Sequence, residues 1–471
     1  MPNIIAFAML GLWPVITAIL WVKLPPTRAL LISMIAGYLL LPPYPAVIDL
    51  PLLPPLGKDT LPAMCCTVMA LALYGREVRL LPDSLLARGV IAVFLLSPVF
   101  TVFTNGEPLV WGPRYLPGLS AKEAVSSVIA QAVILLPLLL GRHFLSRVAE
   151  QRELCLALVI GGLAYSLPIL IELRLSPQMN IWVYGFFQHL FEQMMRGNGY
   201  RPIVFLYHAL WVSFYLMTAV VLVAALARQA EGPRKLHFLV ILGYLAAVLV
   251  LSKSYAAMFY AAACVPAVLF WRSRMILRVA VLLAAIALIY PLAKANQWVP
   301  EEQIVALAGR MGEDRAHTLK FRFDNENVLV ARAAEKPLFG WGLWGRNHVY
   351  DTADGKFLTI TDGRWVIILG VLGLVGFLAE FGLLALPIFM LWWRSRAAAG
   401  NTALAGANAY AAPLALLLGV NMFDLIPNAT ITQLTWLMAG ALIGHVEQVH
   451  TTGDTPAAPA GPRVMLIRTA I

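Results

Sequence analysis

Charge is scarce in this sequence. Only 13% of its 471 residues are charged, against 60% hydrophobic, where a soluble domain carries roughly a quarter. That shortage excludes an ordinary water-soluble globule. Cysteine is also sparse: Cys65, Cys66, Cys155 and Cys264 all fall in or beside apolar stretches, and the adjacent Cys65 and Cys66 are poorly placed to pair with each other. No disulfide framework is visible. Also missing are GxxxxGK[ST], HExxH, GxSxG and CxxC, which removes the motif-based cases for nucleotide, zinc, serine-hydrolase and dithiol chemistry.

What the chain has instead is apolar length. Mean hydropathy is +0.76, and runs near or above about 18 residues read as membrane spans. They recur at about 3–22, 27–43, 60–75, 87–104, 123–141, 154–171, 203–227, 237–252, 255–271, 276–293, 365–393, 404–422 and 429–446. The first has no basic region ahead of it and no small-residue cleavage site, so it is expected to stay as a helix. The expectation is an all-α integral membrane protein, a polytopic bundle of about thirteen transmembrane helices with a large external loop.

The net charge of +10 suggests nucleic acid until its placement is considered. Basic residues cluster in alternate short loops: Lys23/Arg28, Arg76/Arg79/Arg88, Arg142/Arg147/Arg152, Arg228/Arg234/Lys235, Arg272/Arg274/Arg278 and Arg394/Arg396. The positive-inside rule makes those loops cytoplasmic. The charge is a topology signal, and no nucleic-acid partner is expected. The N-terminus then lies outside and the C-terminus inside, with segments 44–59, 105–122, 172–202, 294–364 and 421–428 external. The expected organisation is ten spans over 1–293, an external loop over 294–364, three more spans over 365–446, and a disordered cytoplasmic tail over 447–471.

Chemistry is expected on the external face, where the long loops are. Within 294–364 a helix is predicted from about Ala316 to Glu335, stopped by Pro337. There follows FGWGLWGRNHVYDTADGKFLTITDG, residues 339–363, with turn-forming Gly340, Gly342 and Gly345. Trp341 and Trp344 suit the bilayer interface.

Cations mark the edges of the spans. Arg201 opens one, either snorkelling to the interface or ligating an anion, and His208 is expected two turns inside the same helix. Lys253 sits in a Ser252–Lys253–Ser254 turn after a span of about 16 residues, roughly 24 Å, short of the hydrocarbon thickness of about 30 Å. It is expected below the outer surface, where ionisable groups are functional candidates. With Arg322 and Arg346, these groups suit a phosphate or pyrophosphate headgroup. Asp324–Asn325–Glu326 has a DxE spacing, but i and i+2 do not share a helix face; no metal and no cofactor is expected.

Residues 195–395 resemble the O-antigen ligase / Wzy-like polysaccharide polymerase superfamily. The resemblance rests on Arg201 in YRPIVFLYHALW, on Ser252–Lys253 before a small-residue helix, and on Arg322 ahead of a helix ending in KPLFGWG. It rests also on TDGRWVIILGVLGLVGFLAEFGLL with its Gly373–Leu374–Val375–Gly376. Ligases of that group usually have Ser-Arg where this chain has Ser252–Lys253, and a His-Asn where it has Asp362–Gly363. The second departure favours a polymerase-type member of an exopolysaccharide system over a lipid A-core ligase.

The resemblance implies a GT-C-like, metal-independent glycosyltransferase of the bacterial inner membrane. Its active site would face the periplasm and take a polyprenyl-diphosphate-linked glycan as donor. Arg201, Lys253 and Arg322 would bind the diphosphate; Asp362, with Arg322 and then His348, would be catalytic; Arg346, Arg364 and His208 would hold the acceptor. Expected partners are the lipid bilayer and the chain-length regulator and export proteins of a polysaccharide system. The alternatives are a lipid-linked oligosaccharide flippase or transporter, and a non-catalytic scaffold of an export complex.

Overall fold

The computed structural model describes residues 1–197, 199–310, 312–397 and 408–452. Its helices are α1 (Ile4–Lys23), α2 (Pro26–Leu40), α3 (Leu61–Tyr74), α4 (Leu85–Phe103), α5 (Ala121–Phe144), α6 (Val148–Leu175), α7 (Met179–Tyr184), α8 (Ala209–Gln229), α9 (Gly232–Leu251), α10 (Tyr255–Phe270), α11 (Ser273–Ala295), α12 (Glu301–Gly309), α13 (Glu313–Ala334), α14 (Arg364–Ala397), α15 (Ala411–Asp424) and α16 (Gln433–Thr452). Each of the roughly thirteen apolar stretches meets one of these helices. Eight are long and apolar enough to cross a membrane, and α2, α3, α10 and α15 are shorter apolar helices.

Burial grades the bundle from centre to rim. In α8 the apolar window is 83% buried, against 17% in α9, so α8 is wrapped by protein on nearly all sides. Small residues bring other helices close. Gly440 and Gly444, spaced as in GxxxG, lie against the α5 backbone at Leu138 and Arg142, leaving no room for a Cβ at either position.

The two ends of the bundle differ in chemistry. At one end Arg142 pairs with Asp83 (2.9 Å) and Glu447 (2.6 Å), Arg28 pairs with Glu153 (2.9 Å), and the Arg394 guanidinium donates to the Val446 carbonyl. At the other end the long polar segments meet one another. Lys58 donates to the Phe205 carbonyl (2.6 Å), Arg346 to those of Glu107 and Pro117, and Arg322 to that of Pro427. The basic loops therefore gather at one end and the long loops at the other. Asn3 is at the loop end, its amide and side chain bonded to the Tyr184 and Val183 carbonyls. Glu447 lies in α16 at the basic end and pairs with Arg142, so the tail expected from that residue begins as helix, which runs through Thr452; residues 453–471 lie outside the described residues.

Helix α14 is interrupted. Gly373 has φ 65° and ψ −166°, a region essentially reserved for glycine, and the segment 337–342 inserts at the break. Trp341 and Gly342 donate their N–H groups to the carbonyls of Gly370 (2.8 Å) and Val371 (2.9 Å). Leu374 and Val375 donate to Pro337 (2.8 Å) and Leu338 (3.1 Å). The carbonyls of Phe339 and Gly340 accept from Thr101 Oγ1 (2.6 Å) and Asn105 Nδ2 (2.8 Å) on or beside α4. Irregular backbone at membrane depth is tolerated when protein satisfies it in this way. Trp341, expected at the bilayer interface, is instead buried, with its indole N–H on the Arg332 carbonyl (2.7 Å) and the Arg332 guanidinium over its ring. Trp344 stays exposed.

Candidate anion site at the loop end

The segment before α8 decides where the candidate cations point. Residues 201–208, expected as helix, are irregular, and α8 begins at Ala209. The backbone here is satisfied by side chains of α6 rather than by helical bonds. Glu172 accepts from the N–H groups of Met179 (3.0 Å), Ile203 (2.8 Å) and Val204 (2.8 Å), and the Tyr165 hydroxyl accepts from Phe205 N (2.9 Å). Just upstream, Arg201 N donates to the Met194 carbonyl (2.7 Å), which ties these two residues together. Lys58, buried and held by the Tyr38 and Phe205 carbonyls, pins the same stretch from the 41–60 loop. Its burial lowers the ammonium to about 7.

Arg201 is only 5% exposed, and its Nε and Nη2 find no acceptor among the described residues. Burial, then the charge of Arg196, lowers its pKa to about 10, which still leaves it protonated at neutral pH. An unpaired buried cation is costly unless something neutralises it. His208, at the N-cap of α8, accepts the Leu210 N–H at Nδ1 (3.1 Å) and stacks edge-on with His189 at 4.7 Å. Burial, then Arg201, His189 and Arg322, drives its pKa down to about 3. It is thus neutral at physiological pH, and with Nδ1 an acceptor its Nε2 carries the proton. His208 therefore presents a hydrogen-bond donor and makes a poor base.

Arg322 reaches the same neighbourhood from α13. Its Nε pairs with Asp362 (3.2 Å), both side chains being about one-third exposed, and its Nη1 donates to the Pro427 carbonyl (3.4 Å). Lys253 caps α9 with φ 56° and sends Nζ to the Arg196 carbonyl (3.2 Å), against Gly199. Arg201, Lys253, His208, Arg322 and Asp362 thus come from four separate segments to one neighbourhood.

The other sequence candidates have different partners. Arg346 is fully buried and donates to the carbonyls of Trp341 (3.1 Å), Pro117 (2.9 Å) and Glu107 (2.9 Å), so its guanidinium holds the loop together. Arg364 is engaged in a two-pronged pair with buried Glu380 (2.6 Å to each oxygen). His348 Nδ1 meets Thr359 Oγ1 at 3.1 Å and its ring packs on Phe357; burial lowers its pKa. In the DxE stretch, Asp324 pairs with Lys320, Asn325 accepts from Ile360 N, and Glu326 turns to Lys294 and Tyr290. These groups point to three different places.

Several site residues escaped the sequence reading. Asp424, at the end of α15, is buried and accepts from Tyr260 (3.2 Å), Thr430 (2.7 Å) and Asn428 (3.1 Å), within electrostatic reach of Arg322. The polar run Asp424–Leu–Ile–Pro–Asn428–Ala–Thr430 at a span end was its visible signal. Glu172, directly after the 154–171 apolar stretch and flanked by Ile171 and Leu173, was another: a carboxylate at a span end invites a named partner.

No protein-family model matches this sequence, and no curated protein shows significant similarity to it.

Proposed function

We propose that the protein is a metal-independent membrane glycosyltransferase that joins polyprenyl-diphosphate-linked oligosaccharide repeats at the periplasmic face of the bacterial inner membrane. In this reading it is a polymerase-type enzyme of the O-antigen ligase / Wzy-like superfamily, built as a GT-C-like bundle of about thirteen spans. The observation that carries it is the buried guanidinium of Arg201, whose Nε and Nη2 find no acceptor among the described residues, in the neighbourhood of Lys253, His208 and Arg322. A membrane-edge site rich in fixed cations suits a lipid diphosphate, whose departure it would stabilise by electrostatics alone. An open apolar groove of about 690 Å³ between α2 and α6, lined by residues that include Leu31, Ile35, Leu39, Ile160 and Tyr165, offers room for a lipid tail, and its Tyr165 also holds Phe205 N in the segment before α8.

The proposed step is a displacement at the anomeric carbon of the donor. The acceptor hydroxyl oxygen forms a bond to that carbon, the carbon–oxygen bond to the diphosphate breaks, and the electron pair leaves with the polyprenyl diphosphate. Arg201 and Lys253 take up the charge of the leaving group, with His208 donating from Nε2. Asp362, oriented by Arg322, accepts the hydroxyl proton.

The transporter alternative draws support from the interrupted α14, because broken helices are a transporter device. Here, however, the break is closed by protein backbone and by Thr101 and Asn105, which leaves few of its groups for an ion. The deciding experiment incubates purified protein in nanodiscs with a lipid-diphosphate-linked oligosaccharide, beside Arg322→Ala and Asp362→Asn. A ladder of longer glycans, absent in both variants, is the expected result. Unchanged substrate with folded protein and a supplied acceptor, together with transbilayer movement of the lipid in vesicles, would replace the enzyme by a flippase.

A further inference from the structure

The cations at the loop end outnumber what a diphosphate needs. A diphosphate bridging a lipid and a sugar carries one negative charge on each phosphate, and Arg201 with Lys253 already matches them. Two more guanidiniums stand beside this pair. Arg196 lies 5.3 Å and Arg315 4.8 Å from the centroid of the Tyr255 ring, on which both converge, and the Arg196 carbonyl is the acceptor of Lys253. Most other cations at this end have a carboxylate: Arg322 has Asp362, Lys294 has Glu301 and Glu326, Lys336 has Glu107, and Arg364 has Glu380. Among the described residues Arg196 and Arg315 have none. Like charges gathered on one ring repel, and an anion between them removes that repulsion.

The ring adds a second property. Tyr255 is 56% exposed, at the start of α10 and two residues from Lys253, so part of its ring stays open beside the two guanidiniums. An exposed aromatic ring offers an apolar platform for the C–H face of a sugar, and a guanidinium offers a two-pronged match to a carboxylate. A ligand using both at once has a pyranose ring bearing a carboxylate.

We infer that Arg196, Tyr255 and Arg315 form a subsite for an acidic sugar, a uronic acid or its equivalent, next to the position of the diphosphate, so that the glycan this protein handles is anionic close to its lipid end. The inference rests on the functional reading above and narrows its substrate class.

The test measures binding of two probes to the full-length protein in nanodiscs by calorimetry: geranylgeranyl diphosphate, and the trisaccharide of galacturonic acid with maltotriose as its neutral match. The wild type is expected to bind the uronate at least about tenfold more tightly than maltotriose. Arg196→Gln and Arg315→Gln are each expected to weaken the uronate by about tenfold or more, the worth of one charge-assisted contact, and to weaken the diphosphate by clearly less. Arg201→Gln is expected to reverse that order. Equal binding of uronate and maltotriose overturns the subsite, as does an equal loss of both probes in Arg196→Gln and Arg315→Gln. Failure of the wild type to bind the diphosphate removes the functional reading itself, a result distinct from failure of the uronate arm. Elution of each variant as a monodisperse peak guards against unfolding.

Discussion

Replacing Gly373 by alanine tests the most constrained point of the fold. Its φ of 65° with ψ −166° is a conformation that costs a residue with a Cβ about 1–3 kcal/mol. A Cβ there would also stand 2.5 Å from Phe339 N and closer still to the Leu338 carbonyl group, both of them backbone, so the inserted segment has to retreat. Retreat loosens the four backbone bonds that join 337–342 to the broken helix, each worth about 0.5–1.5 kcal/mol net. Losing half of them brings the total to about 2–6 kcal/mol. The assay is thermal unfolding in detergent followed by size-exclusion chromatography, with Gly382→Ala as the matched control. Gly382 lies in the same helix, and its added Cβ would meet only Val90 Cγ1 at an ordinary 3.7 Å, so that change should be neutral or stabilise by up to about 1 kcal/mol. Gly373→Ala is expected to lower the midpoint by several degrees and to increase protease cleavage near Trp344. Equal midpoints for the two variants would refute the view that the inserted segment closes the break.

Three further tests address the charged groups. Glu380→Gln takes the buried carboxylate from a partly exposed Arg364 and is expected to cost about 1–3 kcal/mol, most of it recovered when Arg364→Met is added, as read by denaturation midpoints. Arg201→Met removes an unpaired buried cation; it is expected to leave thermal stability unchanged or raised while diphosphate binding falls by about a hundredfold, and a large loss of stability would mean that Arg201 is structural. His208, with its pKa lowered from 6.5 to about 3, is neutral when folded and protonated when unfolded across that window. The unfolded state then binds more protons, so this group makes stability fall as pH drops from about 6.5 towards 3. His208→Gln is expected to flatten the midpoint-against-pH curve there, and parallel curves for wild type and variant would contradict it.

Much of the architecture was legible because the bilayer constrains sequence strongly. Every long apolar stretch meets a helix, and the predicted helix at 316–335 is α13, Glu313–Ala334. The segregation of basic loops from long loops follows from charge placement alone, and Lys253 does occupy the turn between α9 and α10; but α9 has 20 residues, about 30 Å by helical rise, so the short span expected to hold Lys253 below the outer surface is not found. What stayed hidden depends on contacts distant in sequence. Residues 201–208 look like the start of a span, yet Glu172 and Tyr165, some thirty to forty positions away, take their backbone N–H groups and prevent the helix. The break at Gly373 is invisible in an apolar run, because its cause is the insertion of 337–342. Arg346 looked like a ligand-binding arginine by residue type, but the carbonyls of Glu107 and Pro117 that occupy it belong to a segment more than two hundred residues earlier. Arg196 and Arg315 lie on separate segments and meet at the Tyr255 ring.

The most direct test of the central claim follows the leaving group. Purified protein in nanodiscs receives a polyprenyl-diphosphate-linked oligosaccharide with an acceptor glycan, and free polyprenyl diphosphate is quantified over time by mass spectrometry for wild type and Arg201→Gln. The expected result is diphosphate released in step with glycan elongation by the wild type, and release reduced at least about a hundredfold in the folded variant. Equal release by both proteins, or elongation that does not depend on Arg201, would contradict the assignment of the loop-end cations to the leaving group.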